Sequence, residues 1–407
     1  MVKKEVLKEN KIVVQKYGGS SVADSERILN VAQRVAKKVK NGYKVIVVIS
    51  AMGKTTDNLI KLAKQVSAVP DARELDMLLS TGEQVSAALL SMALRGLQVD
   101  SKSLNAFQAG IITTESFNEA RIKHFDRKKI SGLLGKHNAL VVTGFQGVTE
   151  EGELTTLGRG GSDLSAVALA AALDVPCEIY SDVAGIYTTD PKLYPKAKKL
   201  KYVSYDEMLE LSAAGAKVLH GRSVEVAKRF NIPIYCGSSF SEEEGSYVMH
   251  EDLIIEKAVV TGLTAMDNQT QVVLKNLPMD YALVRNVFAK AGEAGLNVDM
   301  ISIINNENDL AVSFTVIDDK KKQVQQSIKK LLKGISNYSV EYHSGYVKLT
   351  VVGIGMKTET GVASDFFSAL KNVPLRLVTT SEIKISCLIE PAHKQEAINS
   401  LCKKFNL

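Results

Sequence analysis

Thr155–Leu173 reads TTLGRGGSDLSAVALAAAL. Gly158, Gly160 and Gly161 free the backbone around one arginine, Arg159, and Ser162 and Asp163 then open a segment that is almost wholly small and apolar. Ala166, Ala168, Ala170, Ala171 and Ala172 suit a helix lying close against a sheet. The next stretch, PCEIYSD over Pro176–Asp182, is an apolar run of strand length. A glycine turn, a helix and a buried strand in succession form the repeating unit of an α/β layer fold.

The same unit recurs upstream. KIVVQKYGGSSV holds a strand over Lys11–Gln15 that runs into a glycine turn. Asp24–Lys40 has helical periodicity and stops at Asn41-Gly42. YKVIVVIS and ALVVTGF (Ala139–Phe145) are continuous apolar runs, the pattern of strands buried on both faces of a parallel sheet. Helical stretches at Arg73–Arg95 and Ser165–Leu173 lie between them. The fold class expected is α/β, a three-layer sandwich with a mainly parallel sheet. Ligands in such folds sit at the carboxyl ends of the strands, here Gly18-Gly19-Ser20, Ser50, Gly144 and Ser181-Asp182.

The pattern changes after Ser241, where SEEEG makes a charged loop. Two shorter units come next. TQVVLKNL, Tyr281–Ala294, LNVDMISII, LAVSFTVI and DKKKQVQQSIKKLL read β-α-β-β-α, and YVKLTVVGIG, GVASDFFSAL, PLRLVTT, KISCLIE and HKQEAINSLCKKF repeat that order. Two duplicated α+β, ferredoxin-like units are expected. The domain boundaries read from these shifts are 1–245, 246–340 and 341–407.

Composition narrows the function. The 407 residues carry a formal net charge of +6, no Trp and only 6% aromatics. The lysines are spread out and form no basic stripe interleaved with aromatics, which weighs against nucleic acid and favours small anionic ligands. Cys177, Cys236, Cys387 and Cys402 stand far apart and read as buried thiols in a reducing cytoplasm. MVKKEVLKENK is too polar for a signal peptide, and no unbroken apolar run reaches the roughly 20 residues of a membrane span. A cytoplasmic protein without a membrane or nucleic-acid partner is expected.

Six motifs invite a chemical reading, and the first of them fails. Gly53-Lys54-Thr55 imitates the end of a P-loop, but Val48 stands where the first glycine must be. KYGGSS places Lys16 beside paired glycines and two hydroxyls, a cradle for an anion or an ordinary turn with a surface lysine. LGRGGSD is a second cradle, in which Arg159 offers a fork for a carboxylate or phosphate and Asp163 is either a helix cap or part of a site. Glu83 in STGEQVS is either a cap or the acceptor of a substrate ammonium. YSDVAGIYTTDPK is a turn or a nucleotide wall, and GAKVLHGRS brings the cations Lys217 and Arg222 near each other.

KYGGSSV, VVISAMGKTTD, LLSTGEQVS, TTLGRGGSDLSAVALAAAL, YSDVAGIYTTDP, SYDEMLELSAAGAKVLH and TSEIKIS, taken in order, resemble the aspartate kinases. That family joins an amino-acid kinase fold to two C-terminal ACT domains, and the resemblance covers nearly the whole chain. No dehydrogenase domain is present after them, so it is similar to the monofunctional form. It implies transfer of phosphate from ATP, with Mg²⁺, to the side-chain carboxylate of L-aspartate. That is the first step toward lysine, threonine and methionine. A sibling acting on glutamate or acetylglutamate would lack STGE and the paired ACT units. A catalytically dead sensor would be expected to lack Lys16, Arg159 or Asp163, and all three are present.

By that resemblance Lys16 and Lys217 stabilise the transferring phosphoryl group, and Asp163 organises the site. Tyr17, Gly18, Gly19, Ser20, Ser181, Asp182, Tyr187, Thr188, Thr189, Asp190, Pro191 and Lys192 line the ATP site. Ser50, Thr56, Glu83, Arg159, Gly160, Gly161 and Ser162 surround the aspartate. Mg²⁺ travels with the nucleotide and has no all-protein site. An effector, lysine or threonine, would meet Met279, Asp280, Tyr281, Ala282, Asn297, Val298, Asp299, Thr379, Thr380, Ser381 and Glu382. ACT units pair edge to edge, which implies a homodimer or larger homo-oligomer. The chain departs from the family at Gly221 (commonly Pro), Gly237 (commonly Arg) and Ala184 (commonly Asp). It also lacks the Pro-Gly step that opens the effector helix in the first ACT unit.

Overall fold

A computed structural model describes residues 11–254 and 258–407. They form two bodies. The first holds residues up to 186, 199–212 and 217–254, and the second holds 187–198, 213–216 and 258–407.

The first body is built on an eight-stranded sheet. Its order is Tyr202–Ser204, Ser246–Met249, Ile234–Ser238, Cys177–Ser181, Ile12–Tyr17, Lys44–Ile49, Ala139–Thr143, Ser101–Leu104. The last six are mutually parallel; Ser246–Met249 runs antiparallel to its neighbour Ile234–Ser238. The period of two along each strand divides the core. Val13, Tyr17, Val45, Val47, Ile49 and Val141 face one way, into the helices Ser25–Lys40 and Thr81–Gly96. The opposite face carries the helix Gly161–Leu173, whose Leu164, Ala166, Val167, Leu169 and Ala170 are buried. Helices on both faces explain why these strands have no polar side.

Two expectations are corrected here. Arg73–Arg95 is not one helix but two, Ala72–Leu79 and Thr81–Gly96, joined at Ser80. Ala72–Gly96 is long and apolar enough to cross a membrane by length and composition, yet it buries Asp76, Glu83 and Ser86 inside the protein and reads as a core element. The charged loop SEEEG is not the end of the first body, because Ser246–Met249 returns to pair with Ile234–Ser238.

The second body is a six-stranded antiparallel sheet in the order Asp299–Asn305, Leu310–Ile317, Gly262–Leu277, Ser339–Val352, Lys384–Ile389, Val378–Thr380. Both repeats are present with the expected element order. The expected boundary at 340/341 is not where the cores divide. Gly262–Leu277 and Ser339–Val352 are long strands that pass through both halves, with register shifts between Met266 and Gln271. Val272 and Leu274 pack with the helices Tyr281–Glu293 and Lys321–Leu331, whereas Val260 and Leu263 pack with Val362–Ala369 and Lys394–Phe405. The first repeat is therefore inserted after a strand that belongs to the second. Period-two alternation reads a strand's buried face but not which half of a shared sheet it joins.

Candidate active site

Four adjacent parallel strands end together at Ser181, Tyr17, Ile49 and Thr143, and their turns are tied to one another. Gly18 N–H donates to Tyr180 O (3.3 Å), Ser50 N–H to Tyr17 O (3.2 Å) and Gly144 N–H to Ile49 O (2.9 Å). Gly53 N–H donates to Gly19 O at 3.0 Å, so the turn after the first strand is clasped by the turn after the second. A Cβ on Gly19 would stand 2.9 Å from Ala51 O, closer than side chains tolerate, and glycine is needed there.

Lys16 folds over this turn. Its Nζ would lie 3.2 Å from a Cβ at Gly18, and it pairs with Asp163 Oδ1 at 2.7 Å. Both side chains are nearly buried, 12% and 13% exposed. Asp163 is thus no cap. The helix Gly161–Leu173 starts from Gly160 in the left-handed conformation with no side-chain cap. The segment after KYGGSS also differs from expectation. Gly19–Val22 is one 3-10 turn, and the next α-helix begins at Ser25, capped by Asp24. The turn after the first strand therefore does not run straight into an α-helix; the helix start nearest Lys16 is that of Gly161–Leu173, whose first turn carries Asp163.

Glu83 lies in the first turn of Thr81–Gly96 and is buried. Its Oε1 accepts the Ala51 N–H at 3.1 Å, while Oε2 is buried with no hydrogen-bond partner among the described residues. Burial pushes this carboxyl up to about 7, against the Ala51 N–H that pulls it down. It is half of no ion pair among the described residues, and its Oε2 is a buried oxygen open to a cationic or hydrogen-bonding partner.

Arg159 projects from the turn between the strand Leu154–Thr156 and the helix at Gly161. It is exposed and has no ion pair among the described residues. The backbone around it is closely built. Gly158 and Gly160 are left-handed (φ 75° and 71°), and a Cβ on Gly160 would strike the His220 ring at 2.2 Å. Ser162 abuts Gly144, where a Cβ would approach its Oγ to 2.8 Å. Phe145 beside it holds φ 68°, a strained value for a side-chain-bearing residue; its N–H donates to Ser165 Oγ and its carbonyl accepts from Leu157 N–H.

Other expected residues divide. Thr56 sits in the first turn of the helix Thr55–Val66, half-buried, and the Ser50 carbonyl accepts from Ser86 Oγ at 2.8 Å. Lys217 is exposed in the loop before the helix Gly221–Phe230. Arg222 is no free cation. Its guanidinium donates to Leu157 O (2.6 Å) and Ala120 O (3.1 Å). Ser181 and Asp182 stay at the strand end in the first body, but Tyr187–Lys192 belong to the second. There Thr188 is engaged in holding the fold. Its carbonyl accepts Leu263 N–H at 2.7 Å and its Oγ1 accepts Lys198 N–H at 3.0 Å. Asp190 closes the turn through Lys192 N–H at 2.9 Å.

The chain is similar to known proteins over nearly its whole length. The amino acid kinase family matches residues 11–238, and an ACT domain matches 349–405. The aspartokinase of Geobacillus stearothermophilus is 44% identical over 400 residues, covering 97% of either chain. The chain belongs to the aspartokinase family. Aspartokinase 2 of Bacillus subtilis is 41% identical over 97% of this chain and 98% of its own. In fold, E. coli aspartokinase III with aspartate and ADP superposes with a TM-score of 0.83 at 24% identity, over 97% of this chain and all of that one.

Two of this family member's departures have local accounts. A Cβ on Gly221 would meet nothing within 4 Å, and this first helical position accepts proline or glycine alike. At Gly237 a Cβ would stand 2.8 Å from the Tyr235 ring, which lies over that position and uses its hydroxyl to accept Gly245 N–H at 2.9 Å. An arginine at 237 and this placement of Tyr235 exclude each other. Residues that sequence reading missed are Asp76 and Gln146, brought in from segments with no motif of their own, and His220, which lies in GAKVLHGRS but is not singled out there.

Proposed function

We propose that this aspartokinase-family chain transfers the γ-phosphoryl group of ATP to the side-chain carboxylate of L-aspartate, giving 4-phospho-L-aspartate. The observation that carries the reading is Glu83. An α-amino acid brings the ammonium that Glu83 Oε2 lacks, whereas a plain carboxylic acid would leave that oxygen unpaired. Arg159 takes the α-carboxylate, with Gly160, Gly161 and Ser162 beside it. The phosphates sit over Gly18, Gly19 and Ser20, and Lys16, steadied by Asp163, meets the charge that develops on the transferring group. Lys217 is assigned the same duty from its exposed loop.

The attacking oxygen belongs to a carboxylate with an ordinary pKa of about 3.9, so it is already ionised and no general base is required. The oxygen forms a bond to phosphorus, the bond to the bridging oxygen of ADP breaks, and ADP leaves. Mg²⁺ is proposed to arrive on the nucleotide phosphates and not in an all-protein site. Such an ion, when bound, neutralises phosphate charge. A cytoplasmic setting, where ATP is present and the four free thiols stay reduced, is part of the proposal. Incubation with aspartate, Mg·ATP and hydroxylamine should yield a hydroxamate from the acyl phosphate; its absence would sink the reading.

Glu83 also sets a pH dependence. A glutamate in the unfolded chain ionises near 4.5, whereas in the fold it does so near 7. The folded protein therefore keeps a proton that the unfolded chain has lost. Stability falls as pH rises between those values, by about 3 kcal/mol in all, and then levels off. Ionised Glu83 is the form that attracts an ammonium, so the KM for aspartate should fall as pH rises from about 6 to about 8. Glu83→Gln should flatten both slopes. A wild-type KM that is level across that range would remove Glu83 from the ammonium site.

The second body is proposed to bind a feedback effector, lysine or threonine. Met279 and Tyr281 are exposed at the start of a helix, and Asn297 is exposed nearby in sequence. Asp280 caps that helix through Ala282 N–H at 2.8 Å, and Asp299 is already paired with the buried Lys348 at 2.6 Å. Ser381 closes a turn with Lys384, and Glu382 is exposed. Assaying with lysine and threonine, singly and together, reads which effector acts. Edge-to-edge pairing of two copies is proposed at the outer strand Asp299–Asn305, where Ile301, Ile303 and Ile304 are 45–57% exposed.

A further inference from the structure

The turn that carries Arg159 is held from outside by two side chains of opposite charge. Asp76 lies in the helix Ala72–Leu79 and is fully buried. Its carboxylate accepts three hydrogen bonds: Oδ1 from Thr156 Oγ1 (2.6 Å), and Oδ2 from Thr156 N–H (2.8 Å) and Asn118 N–H (2.9 Å). Arg222 donates to Leu157 O at 2.6 Å and Ala120 O at 3.1 Å. Ala120 N–H donates to Thr156 O at 2.9 Å, so the two loops the pair grips are also stitched to each other. A Cβ on Gly158 would be 3.0 Å from Asn118 O, leaving that stitched seam no slack on its Gly158 side.

The chain order gives this bracket a second end. Asp76 and Glu83 stand on consecutive helices joined at Ser80, and Ser80 O accepts Gln146 Nε2 at 2.9 Å. One helix pair therefore presents Glu83 and also grips the root of the Arg159 turn. None of Asp76, Thr156 or Arg222 is among the groups assigned to substrate. We infer that Asp76 is a positioning residue of the aspartate site: through Thr156 and Asn118, together with Arg222, it sets Arg159 at the distance from Glu83 that one α-amino acid spans. This rests on the clamp role proposed for Arg159.

A charge-assisted triple acceptor is hard to replace, but asparagine comes close. Its oxygen accepts the two backbone N–H groups, and its amide donates to Thr156 Oγ1, whose hydroxyl can accept. In steady-state kinetics on the full chain, Asp76→Ala should raise the aspartate KM about tenfold or more and leave the ATP KM within about twofold. Asp76→Asn should recover most of that loss. In an Arg159→Ala background, Asp76→Ala should add less than about twofold, because it acts through a group already gone. Should Asp76→Ala fail to fold by circular dichroism, Thr156→Val removes one donor and keeps both backbone contacts, and the aspartate KM should still rise by about threefold. The inference is overturned if Arg159→Ala raises the aspartate KM and neither Asp76→Ala nor Thr156→Val does, or if the Asp76 and Arg159 effects simply multiply. If Arg159→Ala itself leaves the aspartate KM unchanged, it is the clamp reading that falls, and the inference with it.

Discussion

Replacing Lys16 with alanine should lower kcat by roughly 10²–10³-fold, the range expected when one preorganised charge on a developing transition state is removed. The ammonium is placed for this by its 2.7 Å pair with Asp163 and its approach to the Gly18 backbone. The aspartate KM should move little, since Lys16 faces phosphate in this arrangement. A structural loss is expected as well, because Asp163 is left nearly buried without its partner, and a broken buried pair costs about 3–5 kcal/mol before discounting residual exposure. The two effects separate in Lys16→Met with Asp163→Asn. Thermal stability should return toward wild type while kcat stays low. Recovery of kcat in that double variant would make the pair structural and not catalytic.

Arg159→Ala should weaken aspartate binding by ~2–4 kcal/mol, the cost of a lost charged partner, seen as a rise of roughly 30- to 900-fold in the aspartate KM. The melting temperature should not change. Arg159 is exposed and makes no ion pair among the described residues, so the fold does not lean on it. This contrast with Lys16, where stability and rate both respond, comes from burial alone. An unchanged aspartate KM would rule out the clamp.

Much of the proposed site was legible in the order of residues because the residues named for it are close neighbours in the chain. Lys16, Gly18 and Gly19 lie within one turn, as do Arg159, Gly160 and Asp163. The choice between cap and functional group could not be read that way. Asp163 and Glu83 each stand in the first turn of a helix, where a carboxylate is favourable in any case. What the fold adds is the approach of Lys16 to Asp163 and, among the described residues, a Glu83 Oε2 without a hydrogen-bond partner, and the proposed roles rest on these. Arg222 misled in the opposite direction. It looked like a second cation beside Lys217, and the fold spends it on two backbone carbonyls.

By itself the sequence determined the α/β layering, the duplicated small units and the two glycine turns, since these arise from periodicity and from glycine's freedom over a few neighbouring residues. Tertiary structure alone decided the pairings that cross long separations. It let the strand Gly262–Leu277 serve both repeats, returned Ser246–Met249 to the first sheet, and brought Asp76 to Thr156 eighty residues away. The reason is physical. Pattern along a chain records which face of an element is buried, whereas the partner buried against it is selected by the packing and hydrogen bonding of the whole fold.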